Sequence, residues 1–81
     1  MLRIATKTKL TPEQTIQKAI DFFGSKGYGL KIVEQTETTV KFEGGGGLVD
    51  VSADKVNSKT EVDLFSREWE YQTKEFIRSI K

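Results

Sequence analysis

Four consecutive glycines, Gly44, Gly45, Gly46 and Gly47, and the triplet Arg67, Trp69 and Tyr71 are the two places in this 81-residue chain where residue type and spacing point to binding chemistry. Glycine runs expose backbone N–H groups to anions, but phosphate-cradling versions open a helix and carry a lysine or a spaced glycine pattern. Here Leu48 and Val49 follow in a strand-like alternation. The run therefore reads as a hairpin turn needing positive φ, or as a strand end kept bare so that a helix or partner backbone can approach. Arginine, tryptophan and tyrosine are the residue types that most often anchor protein interfaces. Trp69 falls on the apolar stripe of the last helix, and Tyr71, two positions on, lies well around it toward solvent.

Catalysis finds little to work with. The chain has neither cysteine nor histidine, which removes thiol chemistry, disulfides, imidazole or thiolate metal sites and the usual proton shuttle at neutral pH. Glu43, Asp50, Glu61 and Asp63 fall on the outward side of strands, whereas acid–base work requires a buried or coupled group. No catalytic residue, metal ligand or cofactor is expected, and the reading is a binding module with no enzymatic activity.

The elements that position these residues follow from periodicity. Leu2, Ile4, Thr6, Thr8 and Leu10 alternate with Arg3, Ala5, Lys7 and Lys9, the period of a half-buried strand. Thr11-Pro12-Glu13-Gln14 is a helix start with a capping box. Ile16, Ala19, Ile20 and Phe23 then give that helix one apolar stripe, and Gly24 or Gly27 supplies the left-handed residue that ends it. A strand is expected over 28–35 with Tyr28, Leu30 and Ile32 inward and Val33 out of phase, and another over 38–43 with Val40 and Phe42 inward. Val49 and Val51 point in beyond the glycines, and residues 53–59 read as turn material. A last strand covers 60–65, with Val62 and Leu64 inward. Ser66 is read as the N-cap of a final helix whose face carries Trp69, Thr73, Phe76, Ile77 and Ile80.

The result is one α+β domain over residues 1–81, ordered β-α-β-β-β-β-α. Three short links make the last four strands a meander, and the closed arrangement is a five-stranded antiparallel sheet in the order 1-5-4-3-2 with both helices on one face. Charge supports strand one beside strand five, since outward Arg3, Lys7 and Lys9 would lie next to Glu61 and Asp63.

This order of elements resembles the TATA-binding-protein-like fold, which the helix-grip proteins of the START and pollen-allergen type elaborate. The resemblance implies two activities: apolar ligand binding under the C-terminal helix and duplex binding on the open sheet face. The first would use Phe23, Tyr28, Phe42, Val51 and Phe76 beside Trp69, side chains that a small chain also needs simply to fill its core. The second meets an outer face that carries Lys31 and Lys41 but also Glu43, Asp50, Glu61 and Asp63, with no aromatic pair. That surface repels phosphate, so nucleic acid is left only a basic edge through Arg3, Lys7, Lys9, Lys18 and Lys26.

Composition agrees with a folded module. Hydrophobic residues at 36% and a net charge of +1 are too apolar for disorder and too neutral for bulk attraction to nucleic acid or membrane. No apolar run resembles a signal peptide or a membrane span, and cytoplasmic residence is the expectation. The function read from the residues is a small interaction module that binds a protein partner or a second copy of itself. A carrier of a small apolar ligand is the alternative, and weak nucleic-acid binding comes third.

Overall fold

Seven elements follow one another in the computed structural model, which describes residues 1–81: β1 (Leu2–Thr8), α1 (Pro12–Phe23), β2 (Lys31–Gln35), β3 (Thr39–Gly44), β4 (Gly47–Val56), β5 (Lys59–Arg67) and α2 (Glu70–Ile80). The strands form one antiparallel sheet in the order β1-β5-β4-β3-β2, as strand alternation and short links require. Inward Val40, Phe42, Val49, Val51, Val62 and Leu64 pack in one core with Ile16, Ala19 and Phe23 of α1 and Phe76, Ile77 and Ile80 of α2. Both helices therefore cover the same face, and the opposite face is open.

α1 starts where its residues demand. The Gln14 amide donates to Thr11 Oγ1 at 3.1 Å and the Thr11 amide donates to Gln14 Oε1 at 3.0 Å, which occupies two donors that a helix start otherwise leaves unpaired. The helix ends at Gly24 with φ −79°, and the left-handed glycine is Gly29, φ 80°, further along the connection. Neither of the two glycines proposed for that role adopts it.

Three further boundaries differ from expectation. β2 begins at Lys31, and Tyr28 lies outside it on a solvent-facing turn, 45% exposed. A register shift between Ile32 and Glu34 absorbs Val33 as a bulge, which explains its wrong phase and blunts an edge strand that would otherwise offer unpaired backbone. β4 runs on through Val56, where residues 53–59 read as turn. Ala53 is fully buried, and the pairing continues from Asp54↔Glu61 to Val56↔Lys59 as a ribbon extending past the core.

Ser66 is the third correction. It sits in β5 opposite Leu2 and Val49, fully buried, and α2 begins later with Trp69 as its N-cap residue. The chain makes the corner through Glu68, whose φ of 69° is left-handed. The helix face itself is as expected, with Thr73, Phe76, Ile77 and Ile80 buried.

β1 lies against β5 in the expected position, but the charge pairing is different. Lys7 stands opposite Glu61 and Ala5 opposite Asp63, while Arg3 faces Phe65 with its guanidinium 5.3 Å from the ring centre. No ion pair within 4 Å joins the two strands. The single ion pair of the molecule links the Met1 ammonium to Glu70 at 3.1 Å. No helix is long and apolar enough to cross a membrane.

Candidate functional site

The tetraglycine closes the β3–β4 hairpin. Gly44 pairs with Gly47, and Gly45 and Gly46 form the two-residue loop with φ 57° and 80°. Positive φ at both central positions is what a type I′ turn requires, and it matches the twist of the flanking strands. The run also clears space: a Cβ on Gly47 would sit 2.0 Å from the Arg67 carbonyl oxygen, and one on Gly45 would sit 2.9 Å from the Trp69 ring. Turn and close approach are both realised, the first at the loop and the second at its flanks.

Trp69 uses that space. Its indole N–H donates to the Gly44 carbonyl at 2.9 Å, so the residue that opens α2 is tied to the end of β3. Tyr28 completes the arrangement from the α1–β2 connection. Its ring lies 5.7 Å from Trp69 and 5.4 Å from Phe22, and its hydroxyl donates to Glu75 Oε1 of α2 at 2.9 Å. The Glu75 carboxylate holds the Tyr28 phenol above the ordinary tyrosine value, through the hydrogen bond first, then by desolvation and by repulsion of the phenolate. At the same end, Glu70 is held below the ordinary carboxylate value, chiefly by its own backbone N–H and then by the terminal ammonium.

The structure thus joins Trp69 to Gly44 and Gly45 and adds Tyr28, which the strand alternation placed inside. Glycines on both sides, Gly27 and Gly29, were the signal that Tyr28 belongs to a loop. Tyr71 is 66% exposed, the most exposed aromatic in the chain. Arg67 is also exposed but follows the outward alternation of β5 onto the open sheet face, so the triplet Arg67, Trp69 and Tyr71 is divided between the two sides of the sheet.

Phe23, Phe42, Val51 and Phe76, grouped at the sequence level as the lining of an apolar pocket, are each fully buried. The Phe23 ring lies 5.5 Å from Phe42 and 5.6 Å from Phe76, the spacing of rings in contact. They fill the space between sheet and helices. Tyr28, placed in the same group, is on the surface. Neither of the molecule's two concavities is lined by any of these residues.

The open face carries Asp50, Ser52, Asp63 and Phe65 around a shallow hollow of about 430 Å³, with Arg3 at its margin. Carboxylates beside this hollow oppose a phosphate backbone, and no group of three or more acidic side chains gathers closely enough there to hold a metal ion. Comparison of the chain with protein-family models, curated proteins and solved structures yields no match.

Proposed function

We propose that this chain is a small binding module that engages a protein partner through the aromatic end formed by Tyr28, Trp69 and Tyr71. The observation that carries the reading is the pairing of exposure with fixation. Tyr28 and Tyr71 are 45% and 66% exposed, while the Trp69 indole and the Tyr28 hydroxyl are hydrogen-bonded to different elements. Rings held in place lose little freedom on contact, which is why such residues dominate interface energetics. The strand-helix-four strands-helix order supports the resemblance to the TATA-binding-protein-like and helix-grip architecture, and this end lies where the β3–β4 hairpin meets the C-terminal helix. The absence of cysteine fits work in a reducing compartment such as the cytoplasm.

A second copy of the chain is one form the partner takes. Its contact would lie at the aromatic end, because both sheet edges oppose self-pairing: β2 is bulged, and symmetric pairing of β1 about Ala5 sets Arg3 against Lys7. Immobilised wild-type chain, compared with Tyr28→Ser/Tyr71→Ser, tests the proposal against lysate, and sedimentation of the free chain tests the self-contact. The expected result is a retained protein, or a dimer, lost in the double variant. Identical retention by both proteins, with both sedimenting as monomers, overturns the assignment.

A further inference from the structure

The end of the molecule opposite the glycine hairpin holds its largest concavity, about 580 Å³, between the end of β1, the first turns of α1, the β4–β5 turn and the end of α2. Five lysines line it, Lys7, Lys9, Lys18, Lys59 and Lys81, and no carboxylate side chain does. Five of the thirteen cationic side chains of a chain with net charge +1 are gathered here. None has an ion-pair partner within 4 Å, since the molecule's one ion pair is at the other end.

The scaffold beneath the lysines is fixed. Thr8, almost fully buried, donates its hydroxyl to the Ile80 carbonyl and ties β1 to the last turn of α2. Thr60, also buried, donates to the Leu10 carbonyl at 2.6 Å and ties β5 to the chain entering α1. Leu10 and Ile80 supply the apolar part of the lining. The negative groups nearby are few: Glu61 stands opposite Lys7 on the sheet, and the negative end of the α2 helix dipole borders the site at Lys81. They leave a concave surface of predominantly positive potential, in the size range of small-ligand sites.

We propose that this concavity is an anion site for a compact polyphosphorylated small molecule, whose phosphates take the place of the missing counter-charges on Lys7, Lys9, Lys18, Lys59 and Lys81. Lysine supplies a mobile point charge with three donors, suited to phosphate oxygens at varied angles. No aromatic residue lines the site, so it offers no platform for stacked bases, and a polymer leaving past Lys7 meets Glu61 and Asp63. Those features favour a small ligand with several phosphates over a nucleic-acid strand. The site is separate from the aromatic end and does not depend on it.

The test is titration of the whole chain with inorganic tripolyphosphate, against sodium chloride at matched ionic strength, read by amide shifts and thermal melting. Saturable shifts at residues 7–10, 59 and 79–81, a raised melting temperature, and a loss of affinity of about tenfold per lysine in Lys9→Gln/Lys18→Gln are expected. Lys26→Gln/Lys31→Gln, which lies outside the concavity, leaves the affinity unchanged. The proposal fails if tripolyphosphate acts no differently from chloride, or if the two double variants weaken it equally. A single-stranded RNA oligonucleotide that binds more tightly than tripolyphosphate through the same lysines overturns the choice of a small ligand.

Discussion

The two ends of the sheet handle polar groups in opposite ways. At the glycine end, the Trp69 N–H meets the Gly44 carbonyl, the Tyr28 hydroxyl meets Glu75, and the Met1 ammonium meets Glu70. At the lysine end, five ammonium groups share a concavity without a carboxylate side chain in its lining. What each end offers a partner differs accordingly. The first presents ring surface on which the Trp69 and Tyr28 polar atoms are already paired, so contact with those two rings is a matter of shape and apolar area. The second presents unpaired charge, so contact there depends on the charge of the ligand and on salt.

At the glycine end the polar groups are already paired, so substitutions of its buried contacts are read as stability, whereas lysine substitutions at the other end are read as anion affinity. The largest effect belongs to Gly47→Ala. Its Cβ would overlap the Arg67 carbonyl oxygen, a backbone atom that cannot move without breaking β5 away from β4, and a loss of about 3 kcal/mol in urea unfolding is expected. Trp69→Phe keeps most of the ring but removes the donor to Gly44, for a loss of about 1 kcal/mol in the same assay. Ser66→Ala works in the other direction. The Ser66 hydroxyl is buried without a hydrogen-bond partner, so deleting it raises stability by about 1 kcal/mol.

The smallest effect is a titration. In a Tyr71→Phe background, Tyr28 is the remaining tyrosine, and its ultraviolet absorbance should titrate above the ordinary tyrosine value, returning toward it in Glu75→Ala. A phenol whose folded pKa is raised stabilises the fold fully below its unfolded pKa. That contribution disappears as the pH rises through the folded value, so the Tyr28–Glu75 contact weakens in alkali. Glu70 has the opposite sign: its lowered pKa contributes stability above the unfolded carboxylate pKa, lost as the pH falls through the folded one.

Alternation and capping chemistry carried most of the fold. The capping box at Thr11 and Gln14, the inward sets of β3 and β5, and the helix faces all lie where local pattern put them. Errors fell where local pattern and tertiary placement part company. Asn57 and Ser58 do make the turn, but Asp54 and Lys55 look like part of it because the end of β4 is a solvated ribbon, held by pairing with β5 and not by burial. Ser66 looks like a cap, yet the sheet extends through it, and the corner is made by Glu68 in a left-handed conformation that no residue type there announces.

Site residues were harder to read than strands for a related reason. Trp69 and the glycines stand out by type, and their contact explains both. The lysines of the concavity come from the end of β1, the link after it, the middle of α1, the start of β5 and the residue after α2, so no window of sequence contains the cluster. The basic edge read as Arg3, Lys7, Lys9, Lys18 and Lys26 held three of the concavity's five lysines, while Arg3 and Lys26 do not line it. Closure of β1 against β5, and of α2 over β1, brings in Lys59 and Lys81.

One ¹H–¹⁵N spectrum tests the division between the ends most directly, read at the Lys59 amide and the Trp69 indole as tripolyphosphate is added at constant ionic strength. The Lys59 signal should move to saturation while the indole stays in place. Movement of both together, or of neither, would contradict the separation of a charged site from an aromatic one.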